Sequence, residues 1–139
     1  MRLYLDASPI IYSIEGVPEF RLAALSWIER AEVAKGVVIT SRRSRLECRV
    51  KPLREGNTPL LERFDGFFSR GSLEIVDVSS DVIERATELR AKHDFRAPDA
   101  VHLATALVVG ADVFLTGDRT LKRCPDLDVQ LLTGPHIAP

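Results

Sequence analysis

Four acidic residues stand where the pattern of the chain changes: Asp6, Glu47, Asp99 and Asp118. Asp6 follows the apolar triplet Leu3-Tyr4-Leu5, and Asp118 comes just after Val113-Phe114-Leu115-Thr116. Asp99 sits behind Pro98 at the start of a helical pattern, and Glu47 lies inside another. Two unit charges about 4 Å apart repel by roughly 4 kcal/mol at an effective dielectric near 20. If the fold gathers these acids, the cluster must take up protons or bind a cation. Oxygen-only ligands favour Mg²⁺ or Mn²⁺ over zinc, which usually recruits histidine or cysteine. Such an ion polarises a phosphoryl oxygen and acidifies water, the apparatus of phosphodiester hydrolysis. Ser8 and Thr116 could hydrogen-bond a carboxylate or a phosphate.

Each position also has a plainer reading. An Asp after a strand is commonly a turn former or a helix cap. Asp99 would favour its helix dipole, an effect of about 0.3–1 kcal/mol. Glu47 has Arg43 four residues before it and Lys51 four after, and such helical pairs contribute about 0.2–0.5 kcal/mol each. Whether the acids act together depends on the elements that carry them.

Those elements alternate. Leu3–Leu5, Val37–Ile39, Leu73–Val76, Val113–Thr116 and Val129–Leu132 read as short, continuously apolar strands. Ser8-Pro9 and Thr58-Pro59 read as caps followed by a proline in the first helical position, and Ser41 and Ser80 as further caps. Pro18 opens a helix with Leu22, Leu25, Trp27, Ile28 and Ala31 at roughly helical spacing, ending at Gly36. Leu46, Val50 and Leu53 fall on one side of the helix after Ser41. Pro98 starts a helix with Val101, Ala104, Leu107 and Val108 on its apolar side. Alternation of apolar strands with helices predicts an α/β fold with a mostly parallel five-strand sheet covered on both faces. In such a sheet, residues just past the carboxyl ends of strands share one edge, where ligands bind. Asp6 and Asp118 belong there, with Asp99 and Glu47 within reach of it.

The 139 residues suit one domain, 1–139, long enough for a proper core. A hydrophobic fraction of 45% with 28% charged residues is ordinary for a soluble domain, and the net charge of −1 carries no global nucleic-acid or membrane signature. The start Met-Arg-Leu-Tyr-Leu-Asp does not read as a signal peptide, and no stretch is apolar and long enough to span a bilayer. Cys48 and Cys124 lack CxxC spacing, so neither a disulfide framework nor a zinc site is expected, and a reducing cytoplasm is the simplest setting. One local charge signal exists: Arg42, Arg43, Arg45, Arg49, Lys51 and Arg54 place six basic residues within thirteen positions. A helix cannot turn all six to one face. Some are solvated charge, and Arg42, Arg45 and Arg49 are candidate RNA contacts that would track phosphates.

Four segments carry a family resemblance: Leu-Tyr-Leu-Asp-Ala-Ser, Ser-Arg-Leu-Glu-Cys-Arg-Val, Ala-Pro-Asp-Ala-Val-His-Leu-Ala-Thr-Ala and Leu-Thr-Gly-Asp-Arg. In that order they resemble the PIN-domain family, and most of all its VapC-type toxins of toxin–antitoxin pairs, from Leu3 to about Leu132. The resemblance implies a three-layer, Rossmann-like domain. It implies a Mg²⁺- or Mn²⁺-dependent endoribonuclease, the toxin of a type II system, commonly dimeric and inhibited by a cognate antitoxin. Asp6, Glu47, Asp99 and Asp118 match the family's acidic positions, and Ser8 and Thr116 its hydroxyl positions. In that reading Asp6, Asp99 and Asp118 hold the metal, and Glu47 ligates it directly or through water. In-line hydrolysis would leave a 5′-phosphate and a 3′-hydroxyl. Where some relatives carry a further acid near the last Asp, this chain has Gly117, Arg119 and Thr120, which leaves one versus two metals open.

Two other functions fit parts of the pattern. A non-cleaving PIN-like module could hold RNA or a protein, although clustered negative charge does little for a phosphate binder. A phosphohydrolase with Asp6 as nucleophile, as in haloacid-dehalogenase-like enzymes, usually needs a second Asp two residues on, where this chain has Ser8. His102, one turn after Asp99, could assist proton transfer, whereas a histidine on a helix more commonly packs or hydrogen-bonds. His93 and His136 carry no signal. Phe64, Phe67 and Phe68 could stack bases, but their spacing better suits a core or a dimer contact. Cys48 reads as a packing residue.

Overall fold

The computed structural model describes residues 1–132; the segment that holds His136 lies outside the described residues. Strands β1 (Arg2–Leu5), β2 (Val37–Ser41), β3 (Leu73–Val76), β4 (Val113–Thr116) and β5 (Val129–Leu131) form one sheet in the order β3-β2-β1-β4-β5, with every pairing parallel. The helices are α1 (Ala7–Glu15), α2 (Pro18–Val33), α3 (Arg42–Glu55), α4 (Thr58–Phe68), α5 (Ser80–His93) and α6 (Ala97–Val108). A 3₁₀ turn, Arg119–Arg123, follows β4.

The strands are apolar throughout because both faces are covered. Leu3, Leu5, Val38, Val113 and Leu115 point into a core shared with α1, α2, α3 and α4. Tyr4, Ile39, Phe114 and Val129 point into a second core beneath α5 and α6. The alternation of a strand's side chains thus feeds two hydrophobic layers, the situation of a sandwiched parallel sheet. Phe64, Phe67 and Phe68 lie buried in the first core and are packing residues, not a stacking surface.

Helix starts differ from expectation by a residue or two. Ser41 caps α3 as anticipated, accepting from the Arg43 amide at 3.1 Å. Asp6, not Ser8, caps α1; Asn57 rather than Thr58 caps α4, and Ser79 rather than Ser80 caps α5. Pro9 and Pro59 still lie in first turns, where the missing amide hydrogen has no intrahelical role.

Two helices turn differently from their apolar pattern. On α2, Ala24, Ile28 and Ala31 face the core, while Leu22 and Leu25 are exposed. This helix stops at Val33 rather than Gly36, and Lys35 takes a left-handed φ of 56°. Gly36 is needed for a different reason: a Cβ there would stand 2.1 Å from the Met1 carbonyl oxygen. On α3 the buried side is Ser44, Cys48 and Pro52, and Leu46, Val50 and Leu53 face outward. On α6, Val108 is likewise exposed, and the buried side runs from Ala100 through Ala106. No helix among the described residues is long and apolar enough to cross a membrane.

Candidate active site

Strand order reverses direction at β1, which has β2 on one side and β4 on the other. Such a switch point opens a crevice at the carboxyl ends of the strands, where connections diverge to opposite faces. Asp6 lies at the end of β1, and its amide donates to the Leu115 carbonyl of β4 at 3.4 Å. Asp118 lies two residues past the end of β4. Glu47 is borne by α3, which begins directly after β2, and Asp99 by the first turn of α6. All four acids line one cleft of about 320 Å³, together with Ala7, Ser8, Ile11 and His102.

Asp6 is the most enclosed of the four, with 7% of its surface exposed. One carboxylate oxygen accepts from the Ser8 amide at 3.1 Å and the Ser8 hydroxyl at 2.7 Å, and the other accepts from the Thr116 hydroxyl at 2.5 Å. Burial pushes its pKa above the usual carboxylate value, against the pull of those donors and of the His102 ring. No ion pair to Asp6 occurs among the described residues. The two hydroxyls do more than cap. Ser8 Oγ accepts from the Gly117 amide at 2.8 Å, and Thr116 Oγ1 from the Asp118 amide at 3.0 Å. The start of α1 and the end of β4 are therefore stitched through Asp6. Gly117 permits this approach, since a Cβ there would meet the Tyr12 ring at 3.0 Å and Ser8 Oγ at 3.3 Å.

The other three acids are held differently. Asp118 Oδ1 caps the 3₁₀ turn, accepting from the Thr120 amide and hydroxyl at 2.9 and 2.8 Å. Asp99 accepts from Arg96 Nε at 3.1 Å, and Arg96 is well exposed. Asp99, and more weakly Asp118 and Glu47, raise the Arg96 pKa. Glu47 Oε1 lies 2.6 Å from His102 Nε2 and 3.5 Å from Arg43 Nε. Lys51, the other expected partner of Glu47, reaches Glu15 instead at 3.7 Å.

The donor set fits a hard divalent cation: four carboxylate side chains line one cleft, and Asp6 is a buried acid with no ion pair among the described residues. No three His, Cys, Asp or Glu side chains among the described residues are already drawn together at ligand spacing. Two of the acids are paired instead, Asp99 with Arg96 and Glu47 with His102.

Arg42, Arg45 and Arg49 line a separate groove on the outer side of α3 with Leu46, Val50 and Leu53. Arg42 pairs with Asp77 at 3.0 Å, and Arg45 and Arg49 share Asp65 at 3.4 and 2.8 Å. Among the described residues, the arginines paired with these acids are Arg43 and Arg96. Arg96 escaped the sequence reading, although its i,i+3 spacing to Asp99 was there to be seen. Tyr4 was read only as a strand residue; nothing in its local sequence announces that its hydroxyl meets His102 Nδ1 at 2.8 Å, 98 residues away. Cys48 and Cys124 are buried free thiols. Burial and the neighbouring Glu47 and Asp6 push the Cys48 thiol up to about 12.

A doubly covered parallel sheet with an acidic cleft at its switch point defines a Rossmann-like α/β domain. The PIN-domain family profile matches residues 3–127, and the chain belongs to that family. Curated proteins offer no match to the sequence. Among solved structures, VapBC2 from Rickettsia felis, bound to a promoter DNA fragment, superposes with a TM-score of 0.79 at 18% identity, covering 96% of this chain and 100% of the other. VapC20 of Mycobacterium tuberculosis, described as a sarcin–ricin loop cleaving toxin, gives 0.72 at 18% identity over 92% and 98%. FitAcB from Neisseria gonorrhoeae gives 0.73 at 16% identity over 91% and 95%. At these identities the likeness is one of fold.

Proposed function

We propose that this chain is a divalent-metal-dependent endoribonuclease and the toxin of a type II toxin–antitoxin pair, built as a single PIN domain. The observation that carries the enzymatic part is the convergence of Asp6, Glu47, Asp99 and Asp118 on one cleft at the switch point of the sheet. Asp6, Asp99 and Asp118 would hold Mg²⁺ or Mn²⁺, and Glu47 would ligate it directly or through water. When bound, such a cation supplies Lewis-acid polarisation of a phosphoryl oxygen and acidifies water.

The chain's own residues do the rest. Thr116 and Ser8 fix both oxygens of Asp6 at 2.5 and 2.7 Å, so this acid is oriented before any ligand arrives. Glu47 would help orient the attacking water for in-line hydrolysis, leaving a 5′-phosphate and a 3′-hydroxyl. Arg96, exposed and paired with Asp99, would supply a positive charge beside the acids for an RNA phosphate. Arg42, Arg45 and Arg49, on the outer groove, could contact RNA only along a path that leaves the cleft around α3.

A non-cleaving binding module accounts less well for Asp6. A buried carboxylate with a raised pKa and no ion pair among the described residues is a cost that phosphate binding does not offset. The antitoxin partner is supported by likeness to the VapBC complexes. The exposed apolar row Leu46, Val50 and Leu53 offers a surface for protein contact, whether with an antitoxin or with a second copy in a homodimer. Incubation of RNA with the purified protein and Mn²⁺ or Mg²⁺ tests the activity. We expect cleavage that stops in excess EDTA and falls at least about a hundredfold in folded Asp6→Asn or Asp99→Asn protein. Undiminished cleavage in either variant, or with EDTA, would overturn the mechanism.

A further inference from the structure

We propose that His102 is a positioning residue that presents Glu47 to the cation site, with Tyr4 fixing the imidazole in the tautomer the task requires. The inference rests on the metal-nuclease reading above and assigns a role to two buried side chains that this reading leaves unused.

The geometry is a chain of three groups. Tyr4 is fully buried and His102 is 3% exposed. The Tyr4 ring stacks on Phe114 at 5.1 Å between centroids and meets the His102 ring edge-on at 6.0 Å, so neither ring is free to turn away. A buried phenol hydrogen needs an acceptor, and His102 Nδ1 stands 2.8 Å from the Tyr4 oxygen. The phenol, sealed from water, donates its hydrogen to that nitrogen. With Nδ1 accepting, the neutral imidazole carries its hydrogen on Nε2. That nitrogen lies 2.6 Å from Glu47 Oε1 and donates to it.

The consequence falls on the other oxygen. Arg43 Nε also approaches Oε1, at 3.5 Å, and is itself a buried donor with no hydrogen-bond partner among the described residues. Both neighbours thus engage Oε1, and Oε2 has no partner among the described residues. A glutamate on a flexible stem is thereby presented by one oxygen and left open by the other. Donors of this kind, one step behind the ligand, orient carboxylates in metal sites and raise affinity. Helix α6 delivers Asp99 and, one turn later, the group that steadies Glu47 on α3. The two helices come from opposite faces of the sheet, and His102–Glu47 ties them across its carboxyl edge.

The test compares His102→Gln, His102→Asn and Tyr4→Phe in the full chain. A glutamine amide nitrogen reaches about as far as imidazole Nε2, whereas asparagine ends near the Nδ1 position. Mn²⁺ affinity is read by calorimetry or by the spectrum of free Mn²⁺, with thermal unfolding run alongside. We expect His102→Asn to lose about tenfold or more in Mn²⁺ affinity, with His102→Gln within about threefold of wild type. Tyr4→Phe should fall between them, and kcat on RNA should drop with KM nearly unchanged. Equal losses for Gln and Asn, or wild-type affinity in the Asn protein, would overturn the inference. If neither His102 variant folds, unchanged Mn²⁺ affinity in Tyr4→Phe overturns it and a several-fold loss supports it. Wild-type protein without an Asp99-dependent Mn²⁺ site would bring down the nuclease reading itself, an outcome separate from the failure of His102 alone.

Discussion

A carboxylate folded away from water is held against its own preference, and Asp6, with no ion pair among the described residues, is in that position. Its folded pKa lies above the unfolded one, so the native state keeps a proton that the unfolded state has released. The stability linked to this proton is therefore full below the ordinary carboxylate range and is lost as pH rises through the folded pKa. Asp6→Asn removes that loss. In metal-free buffer, the melting temperature of the variant relative to wild type should climb as pH rises past the carboxylate range. A difference that stays constant with pH would contradict the assigned burial penalty. Cys48 offers a second check at this scale. A thiol at about 12 leaves on the order of 0.01% thiolate at pH 8, so alkylation of the folded protein should be negligible and rapid only in denaturant.

At the scale of elements, the helix that mattered most was the hardest to orient. Leu46, Val50 and Leu53 have helical spacing, and pattern alone turns such a row inward. Instead Ser44, Cys48 and Pro52 face the interior, where small side chains let α3 sit close to α1, α4 and β2. Size, not hydrophobicity, decided which face was buried, and that depends on neighbours the sequence does not name. Denaturation should register the difference: Phe64→Ala costs about 3–5 kcal/mol, whereas Leu46→Ser stays within about 0.5 kcal/mol. A large loss in Leu46→Ser at concentrations where the chain is monomeric would place that face inside after all. The caps show a milder version of the same limit. Asp6 and Ser8, Asn57 and Thr58, and Ser79 and Ser80 are neighbouring residues that can each cap a helix, and only the backbone's path selects between them. The capping role of Asp6 is also not a rival to its place in the cleft. The same oxygen that starts α1 points the carboxylate toward the switch point.

For the molecule as a whole, the parallel sheet and the gathering of acids could be anticipated because both follow from alternation. Continuous apolar strands separated by helices force crossovers, and crossovers put every strand's carboxyl end on one edge. What alternation could not supply was strand order. The observed order β3-β2-β1-β4-β5 makes β1 and β4 neighbours and brings Asp6 and Asp118 to one crevice. The pairing of Tyr4 with His102 and Glu47 was equally hidden, since it joins three elements far apart in the chain. The proposed function requires acids from four segments to act as one cation site. Anomalous diffraction from a crystal grown or soaked with Mn²⁺ tests it most directly. A Mn²⁺ peak is expected in the cleft between Asp6, Asp99 and Asp118, within reach of Glu47, and is lost in Asp99→Asn. A cleft without anomalous density at millimolar Mn²⁺, or a peak that survives the loss of Asp99, would contradict it.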